Sequence, residues 1–542
     1  MASLELRASR RGFLAALAGM GALGCHGRSP RTIRGAIVGG AHGRGHLVRD
    51  GRPPAPEGTE RKGVAILGAG ITGLSAAWAL ERAGFDDFVV LELEDDPGGT
   101  ARSGSGPVCP YPWAAHYVPA PGAENRPLVA LLEEMGVVTG RDAAGRPSFA
   151  EDVLVREPQE RLFYRGEWFE GLYPVVGASP RDLRQIEELE REMERWARWR
   201  DAEGRRAFAV PRARGSSDPE VSRLDALSMA EWLDQHGWDS PRLRWYVGYA
   251  CRDDFGATLE QTSAWAGVHY FSARAEDESG DVGEFLTWPE GNGRLVDHLA
   301  GVAGDRLRRG TIVADVVPGG DGVRVVYVDA ASGRARAVDA DRVVFALPRF
   351  LARHLLEPYR SAPPAHLAAS VYGSWMVANL TLRDRPAGRG FEPAWDNVLY
   401  DSPSLGYVTA THQMGSDHGP TVLTYYLPLL DDDPVAARTR LLETSWEQWA
   451  AGVVGDLSQA HPDLESLVEQ LDVYLWGHAM IRPRPGLMCG PELADSALPH
   501  GRVHFAHTDL SGMALFEEAQ YWGIRAAENV MRERRHRFES WL

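Results

Sequence analysis

Three glycines and one acid at fixed spacing are the residues in this chain best suited to hold a ligand. Gly68, Gly70 and Gly73 form a G-x-G-x-x-G turn, and Glu92 follows 19 residues after Gly73 (92 − 73). Gly68 permits a sharp turn, Gly70 removes the side chain that would keep a pyrophosphate off the backbone, and Gly73 allows a helix to pack closely. The unpaired N–H groups at the start of that helix, from Ile71 and Thr72 onward, then face the phosphate. Glu92 is placed to accept the ribose hydroxyls of an adenosine. The chemistry is the holding of a dinucleotide; a purely structural turn between two strands is the alternative.

The elements that must position these residues are legible around them. Val64 to Leu67 is a short apolar strand, a helical pattern runs to Arg82, and Phe88 to Leu91 is a second strand ending on Glu92. Just beyond it comes a second glycine pair, Gly98-Gly99, followed by Thr100, Ala101 and Arg102. This E-x5-GG arrangement resembles the flavoprotein superfamily of amine oxidases and phytoene desaturases, in which the chain returns past the pyrophosphate and ribityl of FAD. The resemblance implies FAD rather than NAD, with Gly98, Gly99, Thr100 and Arg102 at the cofactor.

Further segments carry the same resemblance. Trp113-Ala114-Ala115-His116-Tyr117 is similar to the loop whose small residues bring backbone amides against the flavin ring, which makes Ala114 and Ala115 candidates for the flavin floor and His116 either a catalytic or a structural histidine. Trp288-Pro289-Glu290-Gly291-Asn292-Gly293 resembles the segment leading back into the FAD domain, and Val313 matches the residue that pairs its backbone with adenine. Gly501-Arg502-Val503-His504-Phe505-Ala506-His507-Thr508-Asp509 resembles the family's closing strand, with Asp509 in place of the usual glutamate at the ribityl and phosphate, and Phe516 opens a helix whose N-terminus is aimed at the flavin. Trp476 and His478 fall where the family approaches the flavin's reacting face, Trp476 as aromatic wall and His478 as acid/base group. Arg482 and Arg484 either hold an anion or form surface ion pairs.

One departure from the family matters for activity. The strand that often carries a lysine holding a water near flavin N5 corresponds here to Gly373-Ser374-Trp375-Met376-Val377, and Lys62 is the only lysine in the chain. The resemblance therefore implies an α/β protein with a Rossmann-like, glutathione-reductase-like FAD domain in three pieces (63–148, 288–350 and 479–535) and an α+β substrate domain in two (149–287, mainly helical, and 351–478). The main expectation is an FAD-dependent oxidoreductase that moves a hydride from a C–N or C–H bond of a small molecule to flavin N5 and is reoxidised by oxygen or another acceptor. A desaturase- or isomerase-like enzyme on an apolar substrate and a flavin-bound scaffold without turnover are the alternatives. Within the substrate domain, Arg252-Asp253-Asp254 places two acids beside an arginine, either to bind a cation or, the preferred reading, as a structural ion pair.

Composition narrows the partners. The formal net charge of -17 argues against nucleic acid, which a polyanion would repel. Four cysteines at wide spacing give no metal-ligand pattern. At the N-terminus, Ser9-Arg10-Arg11-Gly12-Phe13-Leu14 followed by a short apolar run to Cys25 has the build of an export signal over residues 1–25. Its paired arginines resemble the twin-arginine type, which implies the twin-arginine translocase as a partner and a periplasmic or membrane-anchored location, and Gly24-Cys25 resembles a lipoprotein cleavage point with Cys25 as lipid anchor. Residues 26–62, rich in Gly, Arg and Pro, read as a tether, with a short hairpin near Thr32 to Val38 as an option.

Overall fold

In the computed structural model, residues 33–50, 54–274, 284–431 and 433–542 are described. The export signal and Cys25 lie outside them. The first sheet is built from the glycine-turn unit. Strand Thr59–Leu67, whose Val64 to Leu67 are fully buried, pairs in parallel with Phe88–Leu91 on one side and with Ala335–Phe345 on the other. Such a strand, covered on both faces, reads as an unbroken apolar run. The full order is Leu307–Arg308, Phe88–Leu91, Thr59–Leu67, Ala335–Phe345, Val323–Asp329 and Thr311–Pro318, and Val503–Phe505 adds in parallel to Ala335–Phe345. Ala335–Phe345 is a long strand whose first half closes a hairpin with Val323–Asp329.

Helix Ile71–Arg82 lies on this sheet and is itself covered by the last helix, Phe516–Glu533. Two glycines make that stack possible. A Cβ on Gly73 would stand 1.9 Å from the Gly68 carbonyl oxygen, and one on Gly523 would stand 2.1 Å from that of Thr72. Neither position accepts any side chain without moving backbone.

The second sheet runs Val468–Ile481, Tyr372–Leu382, Thr421–Leu429, Tyr407–Thr409, Asp396–Leu399, Glu160–Tyr164 and Glu167–Glu170. Strands from the second half of the chain are in it. So are two strands from the region read as mainly helical, which otherwise forms a bundle including Pro180–Arg198, Pro241–Phe255 and Ala264–Ser272. The chain from Pro434 to Leu457 forms two helices, Pro434–Glu443 and Trp446–Leu457, because Ser445 starts a new one with a capping box to Gln448.

The segment read as a tether is packed from residue 33 onward. Arg34 and Ile37 bridge in parallel to Gln470 and Val473, and helix His42–Asp50 follows. The Ala41 N–H donates to the Glu94 carboxylate at 2.9 Å, and Arg44 grips Asp95 at 3.0 and 3.1 Å and the Leu93 carbonyl at 3.2 Å. This strap therefore backs the connection between Glu92 and the second glycine pair. A Cβ on Gly39 (φ +69) would lie 2.1 Å from the Tyr474 ring. Gly39→Val should lift the strap, expose 33–50 to limited proteolysis and speed FAD release roughly tenfold, as expected for the loss of one or two charge-assisted hydrogen bonds. Unchanged release from a variant whose strap is readily cleaved would show that the strap does not support the cofactor.

Candidate active site: a dinucleotide cradle facing an aromatic box

The cradle forms where the two glycine segments meet. Gly70 and Gly98 bridge in parallel, and the Gly98 N–H donates to the Ala69 carbonyl at 2.8 Å. Gly98 and Gly99 both have left-handed φ, +115° and +56°, which an L side chain resists. Helix Ile71–Arg82 has no side chain capping its N-terminus, and a Cβ on Gly70 would meet nothing within 4 Å. Glu92, 8 % exposed, accepts from the Ala69 N–H at 2.6 Å and the Glu94 N–H at 2.9 Å. Burial pushes its pKa upward against those two donors. Arg102 is buried, donates to the Tyr474 hydroxyl at 2.8 Å and the Asp96 carbonyl at 2.9 Å, and keeps a buried Nε without a partner.

The loop expected as flavin floor follows directly. The Ala115 N–H donates to the Thr100 carbonyl at 3.0 Å and the Trp113 N–H to that of Arg102 at 3.0 Å. Its three successive carbonyls are held from the second sheet, each by a side chain of a different strand. Asn379 Nδ2 donates to Pro112 at 3.0 Å, Trp476 Nε1 to Trp113 at 2.8 Å and Tyr426 Oη to Ala114 at 2.8 Å. Asn379 and Tyr426 were not legible as site residues, since their role depends on strand pairing across distant segments. Trp476 also stacks on Tyr474 at 4.3 Å and stands 5.9 Å from the Arg102 guanidinium.

Beyond the floor, His116 sits among three rings: Tyr117 at 5.1 Å, Tyr426 at 5.2 Å and Trp395 at 5.3 Å between centroids. Phe285 extends the wall, 4.9 Å from Tyr117. Burial drives the His116 pKa down to about 4, so the imidazole is neutral near pH 7. The strand that could have carried a lysine presents Trp375 and Val377 instead, both buried.

The remaining expected residues are placed as follows. Val313 lies at a bulge of the edge strand Thr311–Pro318, two residues after Thr311, whose N–H donates to the Glu92 carbonyl at 2.7 Å. Phe516 begins the last helix, as expected. Asp509 is 2 % exposed; one oxygen accepts from Tyr372 Oη at 2.6 Å and the Arg349 N–H at 2.8 Å, and the other lies 3.0 Å from His507. Burial opposes its ionisation, yet these donors hold its pKa below the ordinary value. His478 stacks on Phe350 at 4.2 Å and meets the Tyr372 ring edge-on at 5.8 Å, beside the tyrosine that donates to Asp509. Arg482 and Arg484 donate to the main-chain carbonyls of Leu429 and Ala369. Asp254 forms an ion pair, but with Arg274 at 3.2 Å rather than with its neighbour Arg252, which stands over the Tyr249 ring. Cys109 and Cys251 are buried free thiols.

The residues present fit FAD. An uncapped helix start over an unobstructed glycine receives a pyrophosphate, Glu92 a ribose, and the buried free Nε of Arg102 a further anionic or carbonyl oxygen. Fold and cradle together define an FAD-dependent oxidoreductase with a two-sheet architecture. The family model for flavin containing amine oxidoreductase matches residues 71–531, and the chain belongs to that family.

Solved structures agree on the fold. Putrescine oxidase with bound putrescine superposes with a TM-score of 0.64 at 20% identity, over 88% of this chain and 100% of that one. Cyclohexylamine oxidase from Brevibacterium oxydans gives 0.62 at 17%, over 88% and 99%. A fatty acid isomerase from P. acnes that produces CLA gives 0.60 at 16%, over 87% and 98%. Among curated proteins, a Baeyer-Villiger monooxygenase from Streptomyces coelicolor is 52% identical over 46 residues, 8% of this chain and 9% of that protein.

Proposed function

We propose that this protein oxidises aliphatic amines, taking a hydride from the carbon bonded to nitrogen. The observation that carries this reading is the aromatic box beside the floor loop, formed by Tyr117, Trp395, Tyr426 and Phe285 around a neutral His116. Ring faces attract an alkylammonium, and they do so more strongly away from water. His116 adds no positive charge to the box, and the Arg274 guanidinium at its edge, 5.9 Å from the Tyr117 ring, is ion-paired with Asp254 at 3.2 Å.

FAD, when bound, supplies the hydride acceptor at N5. Net loss of a hydride from the carbon and of one N–H proton, released from the alkylammonium to solvent, would leave a C=N bond, which water would hydrolyse to a carbonyl compound and the released amine; oxygen or another acceptor would reoxidise the cofactor. The contribution of this chain is positional: Asn379, Trp476 and Tyr426 fix the floor from three strands, so the reacting carbon meets a surface that cannot drift. Incubation of the flavin-loaded protein with a panel of amines, polyenes and unsaturated fatty acids tests the reading. Aldehyde should form from amines; conversion of the polyenes or fatty acids with the amines left intact would refute it.

For location, the Arg10-Arg11 segment supports export by the twin-arginine translocase, with Cys25 as lipid anchor. Replacing Arg10 and Arg11 by lysine should hold the flavin-loaded protein in the cytoplasm on fractionation; unchanged export would refute this route.

A further inference from the structure

Outside the cradle and the box, helix Pro241–Phe255 carries a crevice of its own, of about 510 Å³. Arg244, Trp245, Gly248 and Arg252 fall on one face of the helix and form its floor, and the loop Tyr400 to Pro403 forms the facing wall. That wall is fixed. Trp245 Nε1 donates to the Tyr400 carbonyl at 3.0 Å and the two rings stack at 4.7 Å, while Ser402 and Ser404 donate to Asp456 at 2.6 and 2.9 Å. Behind the floor, buried Tyr249 stacks on Trp245 at 5.8 Å and turns its hydroxyl inward to Asp396, next in sequence to Trp395 of the box, at 3.4 Å. The Tyr249 ring thus separates crevice from box.

Two features of the floor point to a ligand. Gly248 is a glycine in the middle of a helix that packing does not demand, because a Cβ there would meet only the Leu259 side chain, at 3.6 and 3.8 Å, which is ordinary contact. Glycine is less favourable than alanine in a helix interior; here it keeps the crevice open. Arg252 is the second feature. Its guanidinium stands 5.9 Å over the Tyr249 ring and forms no ion pair with a described carboxylate, whereas Arg244 is paired with Asp234 at 2.7 Å. Asp253 is the carboxyl group that acts on Arg252, yet burial holds the Arg252 pKa below its ordinary value. A half-buried guanidinium has given up water contacts, and a carboxylate replaces them with two parallel hydrogen bonds. Glu260 and Asp401 also line the crevice. They repel any further negative charge, which favours a single carboxylate over a phosphate or a dicarboxylate.

We propose that this crevice is a binding site for a small aromatic monocarboxylate, with the carboxylate on Arg252 and the ring against Trp245 and Tyr400. The site lies apart from the reacting centre and does not depend on the amine reading. The aromatic faces supply contact area, and the guanidinium fixes the orientation of the ligand.

The test is calorimetric titration of the flavin-loaded protein with benzoate, benzyl alcohol and phthalate. Benzoate should bind at a single site per chain, at least about tenfold more tightly than benzyl alcohol, which cannot make the charge-assisted hydrogen bonds. Phthalate, with its second carboxylate, should bind more weakly than benzoate. Arg252→Gln should remove the preference for benzoate over benzyl alcohol, and Gly248→Leu should fill the floor and abolish binding of both, each with native flavin content. Saturating pentylamine should leave benzoate binding unchanged. The site is overturned by the absence of saturable benzoate binding, by equal affinity for benzyl alcohol, or by a preference that survives Arg252→Gln. Displacement of benzoate by pentylamine would also overturn it, since the benzoate would then lie in the box.

Discussion

Gly70→Asp should yield a folded protein that is at least as stable as the native apoprotein and contains almost no FAD. The two halves of this result have separate causes. Gly70 has φ -70° and ψ 177°, an extended conformation open to any residue, and its Cβ would enter free space. An aspartate there also sits at the N-cap of Ile71–Arg82, where its carboxylate can accept from the uncapped N–H groups and add roughly a few tenths of a kcal/mol of stability over glycine. Those N–H groups are the ones a pyrophosphate needs, and the new carboxylate both fills its place and repels it. Flavin retention should fall at least about a hundredfold, the consequence of a clash added to about 2.7 kcal/mol or more of lost anion binding. Stoichiometric flavin in the purified variant would contradict the cradle as drawn.

Three residues further on, Gly73→Ala should act in the opposite way. Its Cβ would stand 1.9 Å from the Gly68 carbonyl oxygen and 3.3 Å from the Ile66 side chain. Both Gly68 and Gly73 are held by the strand and helix they belong to, so relief requires the helix to lift off the sheet, and the Thr72 carbonyl already lies against Gly523. A loss of about 3 kcal/mol is expected, at the upper end for overpacking. Urea unfolding of the apoprotein measures it directly, and a loss below about 1 kcal/mol would mean that the turn has slack the structure does not show. The pair of variants separates a glycine required by the ligand from one required by the fold.

The contrast also explains what the sequence could reveal. The cradle is local: turn, helix start and acid are set by residues within one strand-helix-strand unit, so their spacing is enough to read them. Features that depend on distant pairing were hidden. Residues 33–50 have a loop-like composition, and their order comes from Gln470, Asp472 and Val473 together with Glu94 and Asp95, none of which is near in the chain. Asn379 and Tyr426 look like ordinary strand residues until the Pro112 to Ala114 carbonyls are seen to end on them. Glu160 lay in a region read as helical, and only its register with Asp396 shows that it opens a strand of the second sheet. Arg252 and Asp254 look like natural partners by adjacency, yet two residues of helix turn them roughly 200° apart, onto opposite sides, and Arg274 takes the pair.

Reduction of the bound flavin by substrate tests the central claim most directly. The purified protein should show the ~450 nm absorbance of oxidised flavin. Without oxygen, an aliphatic amine should bleach it with a rate that saturates with amine concentration, and admitting oxygen should restore it. A flavin that stays oxidised under a full series of amines but bleaches with a polyene or another apolar substrate would contradict the account.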